Sequence, residues 1–168
     1  MRKLIKKCSG AAAMLTLGVV VMTIGCKNEP DYKVFRQEVM DLHDKVMEDG
    51  EKAVKNRMAL DTLSKVKLKE IKTGRPDLDT AEEKNKINLL IARLIKADDN
   101  MMDWMHAFQP DIEGKSNAEA IKYFQNEMTK IKKLDGEYKQ ALEESDAYLE
   151  KFNLKPASPV AEHDHSKH

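Results

Sequence analysis

The chain has 168 residues, with 29 Lys+Arg against 29 Asp+Glu and only 7 Gly and 5 Pro. That is the length of one domain, and few helix breakers among many Ala, Glu, Lys and Leu favour long helices. The charges are balanced and interspersed, so no isolated basic patch of the kind a nucleic-acid partner needs is present.

The first element is an address. Arg2, Lys3, Lys6 and Lys7 make a basic start, residues 11–22 are uncharged and mostly apolar, and Thr23-Ile24-Gly25-Cys26 leads into charged sequence. This three-part pattern predicts a lipoprotein signal peptide over residues 1–25, with Cys26 as the acylated N-terminus. The apolar run is short of the roughly 20 residues that span a bilayer. Gly25 and Cys26 match a lipobox, whereas Thr23 stands where Leu is usual, which keeps an uncleaved anchor or an ordinary secretory signal as alternatives. Lys27 rather than Asp follows the cysteine and points to the outer membrane. Cleavage leaves 25 basic and 29 acidic residues, a net charge of −4 with neutral histidine. It also removes Cys8, so no thiol remains for a disulfide, a thiolate metal site or a nucleophile.

A short lipidated linker over residues 26–30 precedes a helical region over 31–153. The first helix is predicted from about Asp31 to Ile71, after Pro30, and ends at Thr73-Gly74-Arg75-Pro76. Phe35, Val39, Leu42, Val46, then Ala53, Leu60 and Leu63 mark its apolar face, the last three at looser spacing. The second is predicted over about 80–108, opened by a Thr80/Glu83 capping box, with Ile87, Leu90, Ile91, Leu94, Met101, Met105 and Phe108 on one face. After a break at 109–115, containing Pro110 and Gly114, a Ser116/Glu119 capping box opens the third. Its seam runs through Ile121, Phe124, Met128, Ile131, Asp135, Tyr138, Leu142, Ser145, Leu149 and Phe152, alternating by three and four. Pro156 and Pro159 stop any helix, and residues 154–168 are predicted to be a disordered, His-containing tail. No period-two alternation marks a strand. The expected fold is all-α: an antiparallel up-down-up three-helix bundle with short connections and helices roughly 45–60 Å long. A seam left exposed would instead pair between chains as a coiled coil.

Candidate chemistry gathers where methionine does. Folding the helices at their breaks brings Met40, His43, Met47, Met101, Met102, Met105 and Met128 toward the end near residue 30. Met40, His43 and Met47 share one helical face, as do Met102 and His106. Thioether and imidazole donors suit Cu(I). Methionine also fills irregular cores, and the neighbouring Trp104 and Phe108 favour packing. His163, His165 and His168 in the tail form a second, loose metal candidate. Asp98 and Asp135 are carboxylates beside apolar stripes without an evident nucleophile. The sequence carries no GxSxG, HExxH, phosphate-loop or CxxCH motif, and no cofactor is expected.

Residues 39–47 (Val-Met-Asp-Leu-His-Asp-Lys-Val-Met), residues 97–108 with their Met101-Met102-Asp103-Trp104-Met105 core, and Tyr123-Phe124-Gln125 carry a resemblance. They resemble small Bacteroidota lipoproteins that bear the label "viral A-type inclusion protein". The resemblance covers most of the mature chain and implies a lipid-anchored envelope protein. It implies no catalytic residues, because that family has no established activity. The reading is a non-catalytic cell-envelope lipoprotein, held at the membrane by its lipid and acting structurally or through a protein partner or a homo-oligomer. The alternative is a periplasmic Cu(I)-type metal-binding protein.

Overall fold

The structure is a computed structural model that describes residues 30–154. The predicted signal peptide, Cys26 and the tail histidines His163, His165 and His168 lie outside the described residues. Helix α1 spans Tyr32–Thr62, a π-helical turn Leu63–Lys67, α2 Leu68–Gly74, α3 Thr80–Ala107 and α4 Asn117–Glu150. The first three run on without a break, so three rods pack together, and the described residues contain no strand.

Local chemistry sets each start. The Asp31 side chain accepts the Lys33 amide and caps α1. Asn117 ties that start to the start of α4: its Oδ1 accepts the Tyr32 amide at 3.0 Å, and its Nδ2 donates to the Pro30 carbonyl at 3.1 Å. α1 and α4 therefore run parallel, and α3 returns antiparallel between them. The Ser116/Glu119 capping box is present, with the hydroxyl on the Glu119 amide and the carboxylate on the Ser116 amide. The Thr80/Glu83 box is not. Asp79 is the cap instead and accepts both the Ala81 and Glu82 amides. An ionised carboxylate one residue earlier makes the stronger cap, and Glu83 is drawn across to α4. Gly114 takes a left-handed φ of +78° in the connection before α4, a conformation glycine adopts without a Cβ clash.

The core follows the predicted faces with a phase correction. Val39, Val46, Ala53, Leu60 and Leu63 from the first rod meet Ile87, Leu94, Ala97 and Met101 from α3. Phe124, Ile131, Tyr138, Leu142 and Leu149 from α4 complete it. Ile121, Met128 and Asp135 only flank this seam, whereas Ala120, Glu127, Leu134 and Ala141 are buried. The π-turn explains the loose spacing late in the first rod. Four residues after Leu63, a regular helix would turn Lys67 toward the core. The extra residue of the π-turn places Leu68 there instead, 1% exposed. Aromatic contacts close both ends. Tyr32 stacks on Phe124 at 6.1 Å near the chain start, and Arg75 and Lys151 cover Phe152 at the other.

Ile131→Ala and Leu60→Ala are each expected to cost about 2–5 kcal/mol in urea unfolding followed by circular dichroism. Val34→Ala, at a position 53% exposed, should stay within about 0.5 kcal/mol. Core variants as mild as the surface one would contradict this packing.

Candidate functional site

The methionine-rich end is built around Trp104 of α3. Its indole N–H donates to Glu127 Oε2 at 2.8 Å, and its ring lies 4.8 Å from Phe108 and 5.7 Å from His43. Glu127 is 3% exposed and also takes Lys130 at 2.7 Å, so this buried carboxylate is both hydrogen-bonded and charge-paired. His43 Nδ1 sits 2.9 Å from Asp44 Oδ1, and its Nε2 lies 3.3 Å from the Met105 thioether. In the tautomer that donates Nδ1–H to Asp44, the Nε2 lone pair faces that sulfur.

The seven predicted donors divide. Met101 is buried, and Met40, His43 and Met105 are half-buried. Met47 (39% exposed), Met102 (47%) and His106 face out. Among the described residues, the polar contact between predicted donors is His43 Nε2 with Met105 Sδ at 3.3 Å. Among the described residues, no group of three or more His, Cys, Asp or Glu is placed to hold a metal ion.

Further along, polar side chains tie helix to helix. The Tyr138 hydroxyl of α4 donates to Asp98 of α3 at 2.9 Å, and Asp98 pairs with Arg57 of α1 at 3.5 Å. Asn56, fully buried, donates to Ser145 Oγ at 2.8 Å and to Asp146 at 2.5 Å. Glu83 accepts the Tyr148 hydroxyl and pairs with Lys151 (3.2 Å) and Lys86 (3.3 Å). Asp98 is thus a link between helices. Asp135 pairs with Lys139 at 2.6 Å and keeps its other oxygen buried without a hydrogen bond. Sequence reasoning missed Asn56, Glu83, Glu127 and Tyr148 as core ties. Only the apolar phase around each position could have revealed them.

The grooves between helices differ in chemistry. Between α3 and α4, Arg93 pairs with Glu144 and Asn100 donates to Glu137 at 2.7 Å. Between α1 and α3, exposed apolar side chains run beside the Arg57–Asp98 pair. Met47, Val54 and Met58 recur on α1 at spacings of seven and four, and Ile95 and Met102 on α3 at seven; all are exposed. The His43–Met105 and Arg57–Asp98 contacts fix the register of the two antiparallel helices. Met47 therefore lies level with Met102. A depression of about 280 Å³ lined by Met58 and Ile91 together with Arg57 and Asp61 lies at the same side. No described helix is long and apolar enough to cross a membrane.

Comparison with protein-family models, with curated proteins and with solved structures finds no match for this chain.

Burial alone would raise the Glu83 carboxyl, but hydrogen bonds from Tyr148, Lys151 and Lys86 outweigh it and hold the group below its ordinary value of 4.5. Burial, then the hydrogen bond to Asp98, pushes Tyr138 above its ordinary 10.0, and burial and Glu83 do the same to Tyr148. A lowered carboxyl stabilises the fold above pH 4.5, and this stability is lost as pH falls toward the lowered pKa. Raised tyrosines stabilise it below pH 10.0, and this is lost as pH rises beyond. Urea midpoints measured against pH should therefore fall at both ends, with a shallower acid limb for Glu83→Gln. Acid limbs of equal slope would contradict the Glu83 assignment.

Proposed function

We propose that this chain is a non-catalytic lipoprotein of the bacterial cell envelope, anchored through Cys26 in the outer membrane, whose helical bundle works by binding a helix of a protein partner. The observation that carries the reading is the exposed apolar stripe of Met47, Val54, Met58, Ile95 and Met102 along the α1–α3 groove. Surface apolar residues scattered singly need no explanation, but a contiguous row marks an interaction site. Asp44, Glu51 and Asp99 are exposed along its rim at the Met47 end. A partner helix with an apolar face and basic flanks would complement that rim. Flexible methionines suit such a groove because they repack against different side chains. The address rests on the export pattern before Cys26 and on the resemblance to small Bacteroidota lipoproteins.

A second reading, Cu(I) binding, is favoured by the facing His43 Nε2 and Met105 Sδ, two donors that suit that ion.

Two experiments test the leading reading. Cys26→Ser should move the protein out of the membrane fraction, because acylation supplies the anchor. A Cys26→Ser chain that stays with the membrane at full mass would show an uncleaved helix instead. For the groove, a photo-crosslinking residue at Met58 or Met102 should give discrete adducts in cells that Met47→Glu removes. The same residue at Lys96, beside the α3–α4 groove, should give none. Equal crosslinking from both grooves would sink the assignment, and adducts of twice the protein's mass would identify a second copy as the partner. For the copper reading, chains truncated after Pro159 isolate the bundle from the tail histidines. One Cu(I) held through dialysis and lost in Met105→Leu would establish that reading in place of packing, since Leu keeps the volume but has no lone pair.

A further inference from the structure

At the far end of the bundle from Tyr32, the first rod and α3 enclose a cleft of about 210 Å³. Four lysines line it: Lys65, Lys69 and Lys72 from the first rod and Lys84 from α3. Ser64 and Thr80 add hydroxyls, and the buried Leu68 makes an apolar wall. The π-turn is the local cause. By turning Leu68 inward in place of Lys67, it sets Lys65, Lys69 and Lys72 along the side of the rod that faces α3.

Acidic compensation inside this cleft is thin. Asp61 pairs with Lys65 at 2.9 Å, and the Leu78 carbonyl accepts from Lys72 at 2.6 Å. Lys69 and Lys84 form no ion pair with any described residue. Asp79, the cap before α3, accepts the Ala81 and Glu82 amides, and Glu82 and Glu83 in the first turn of α3 pair with Lys86. Like charges spaced four apart on a helix, as Lys65 and Lys69 are, repel and destabilise it slightly. Among the described residues, three of the four ammonium groups around this small cleft, those of Lys69, Lys72 and Lys84, lack a carboxylate partner, which raises the local positive potential. This concentration of positive charge stands out on a chain whose bundle is acidic overall.

We propose that this cleft binds a phosphate-bearing anion, held by Lys69 and Lys84 with the Thr80 and Ser64 hydroxyls as further donors. Ammonium groups bind phosphate oxygens through short charge-assisted hydrogen bonds, and hydroxyls satisfy the remaining lone pairs. The volume of about 210 Å³ admits a phosphate or diphosphate group. Both a soluble phosphate ester and the headgroup of an anionic lipid carry this chemistry. The cleft lies about 55 Å along the first rod from Tyr32, at about 1.5 Å per residue. An anchored protein would therefore hold it away from its own anchor, which favours a soluble ligand over a lipid of the same leaflet.

Isothermal titration of the purified full-length protein in neutral detergent at low ionic strength tests the site, with inorganic pyrophosphate as the probe. Saturable binding is expected, weakening as salt is raised. Lys69→Gln with Lys84→Gln should lower the affinity more than about tenfold, since both charge-assisted hydrogen bonds to the anion are lost. Circular dichroism of the double variant should be native. Lys33→Gln with Lys45→Gln removes the same net charge from α1, at sites more than about 30 Å from Lys69 along the rod, and should leave the affinity within about twofold, because exposed charges beyond a Debye length are screened. Glycerophosphoglycerol, the headgroup of an anionic phospholipid, serves as the second probe. Tighter binding of pyrophosphate assigns a soluble phosphate ester, and tighter binding of the headgroup assigns a lipid. No saturable binding of either probe, or equal losses in the two double variants, would overturn the site.

Discussion

The tie between Tyr138, Asp98 and Arg57 is the constraint on which the arrangement of the three helices depends. Tyr138 is 2% exposed, so its hydroxyl must find an acceptor inside the bundle. Leaving a buried donor unpaired costs about 1–3 kcal/mol. Asp98 supplies the acceptor from α3 and is balanced by Arg57 from α1, so one carboxylate joins all three rods at one level. Apolar seams tolerate several registers, because leucines and isoleucines fit many neighbours. Paired polar groups do not. Asn56 with Ser145 and Asp146, Trp104 with Glu127, and Glu83 with Tyr148 repeat the device along the bundle.

A single register decides what each groove offers. With 43 opposite 105 and 57 opposite 98, Met47 meets the level of Met102, and Met58 that of Ile91 and Ile95. Five exposed apolar residues, Met47, Val54, Met58, Ile95 and Met102, thus fall on the α1–α3 side, while the Arg93–Glu144 pair spans the groove between α3 and α4. The same register carries Lys84 alongside Lys65, Lys69 and Lys72, which makes one cationic cleft from two elements. Contact surface and charge surface occupy different lengths of the same α1–α3 side.

Much of this fold is readable from local signals. Thr73-Gly74-Arg75-Pro76 and the Pro110–Gly114 stretch end helices by backbone chemistry, and Ser116 with Glu119 caps one by side-chain reach, so all three survive without knowledge of the tertiary structure. The Thr80/Glu83 pair carries the same signature and fails, because Asp79 competes for the amides and α4 competes for Glu83. The π-turn has no local signature; only the need to bury both Leu63 and Leu68, five residues apart, requires it. Methionine density marks one end of the bundle, where the register sets His43 beside Met105. Helix phase then sends Met47, Met102 and His106 outward, which a count of methionines cannot show. Glu127 and Asn56 look like solvated helix positions in sequence and prove to be buried ties.

A double-mutant cycle on Tyr138→Phe and Asp98→Ala tests most directly whether polar ties hold the helices in register. Each single variant and the double are unfolded in urea, and the coupling energy is taken from the four stabilities. Groups joined by a buried hydrogen bond should couple by about 0.5–3 kcal/mol, with the double variant losing less than the two singles together. Additivity within about 0.3 kcal/mol would show that the two groups act independently, and would contradict a register set by this tie.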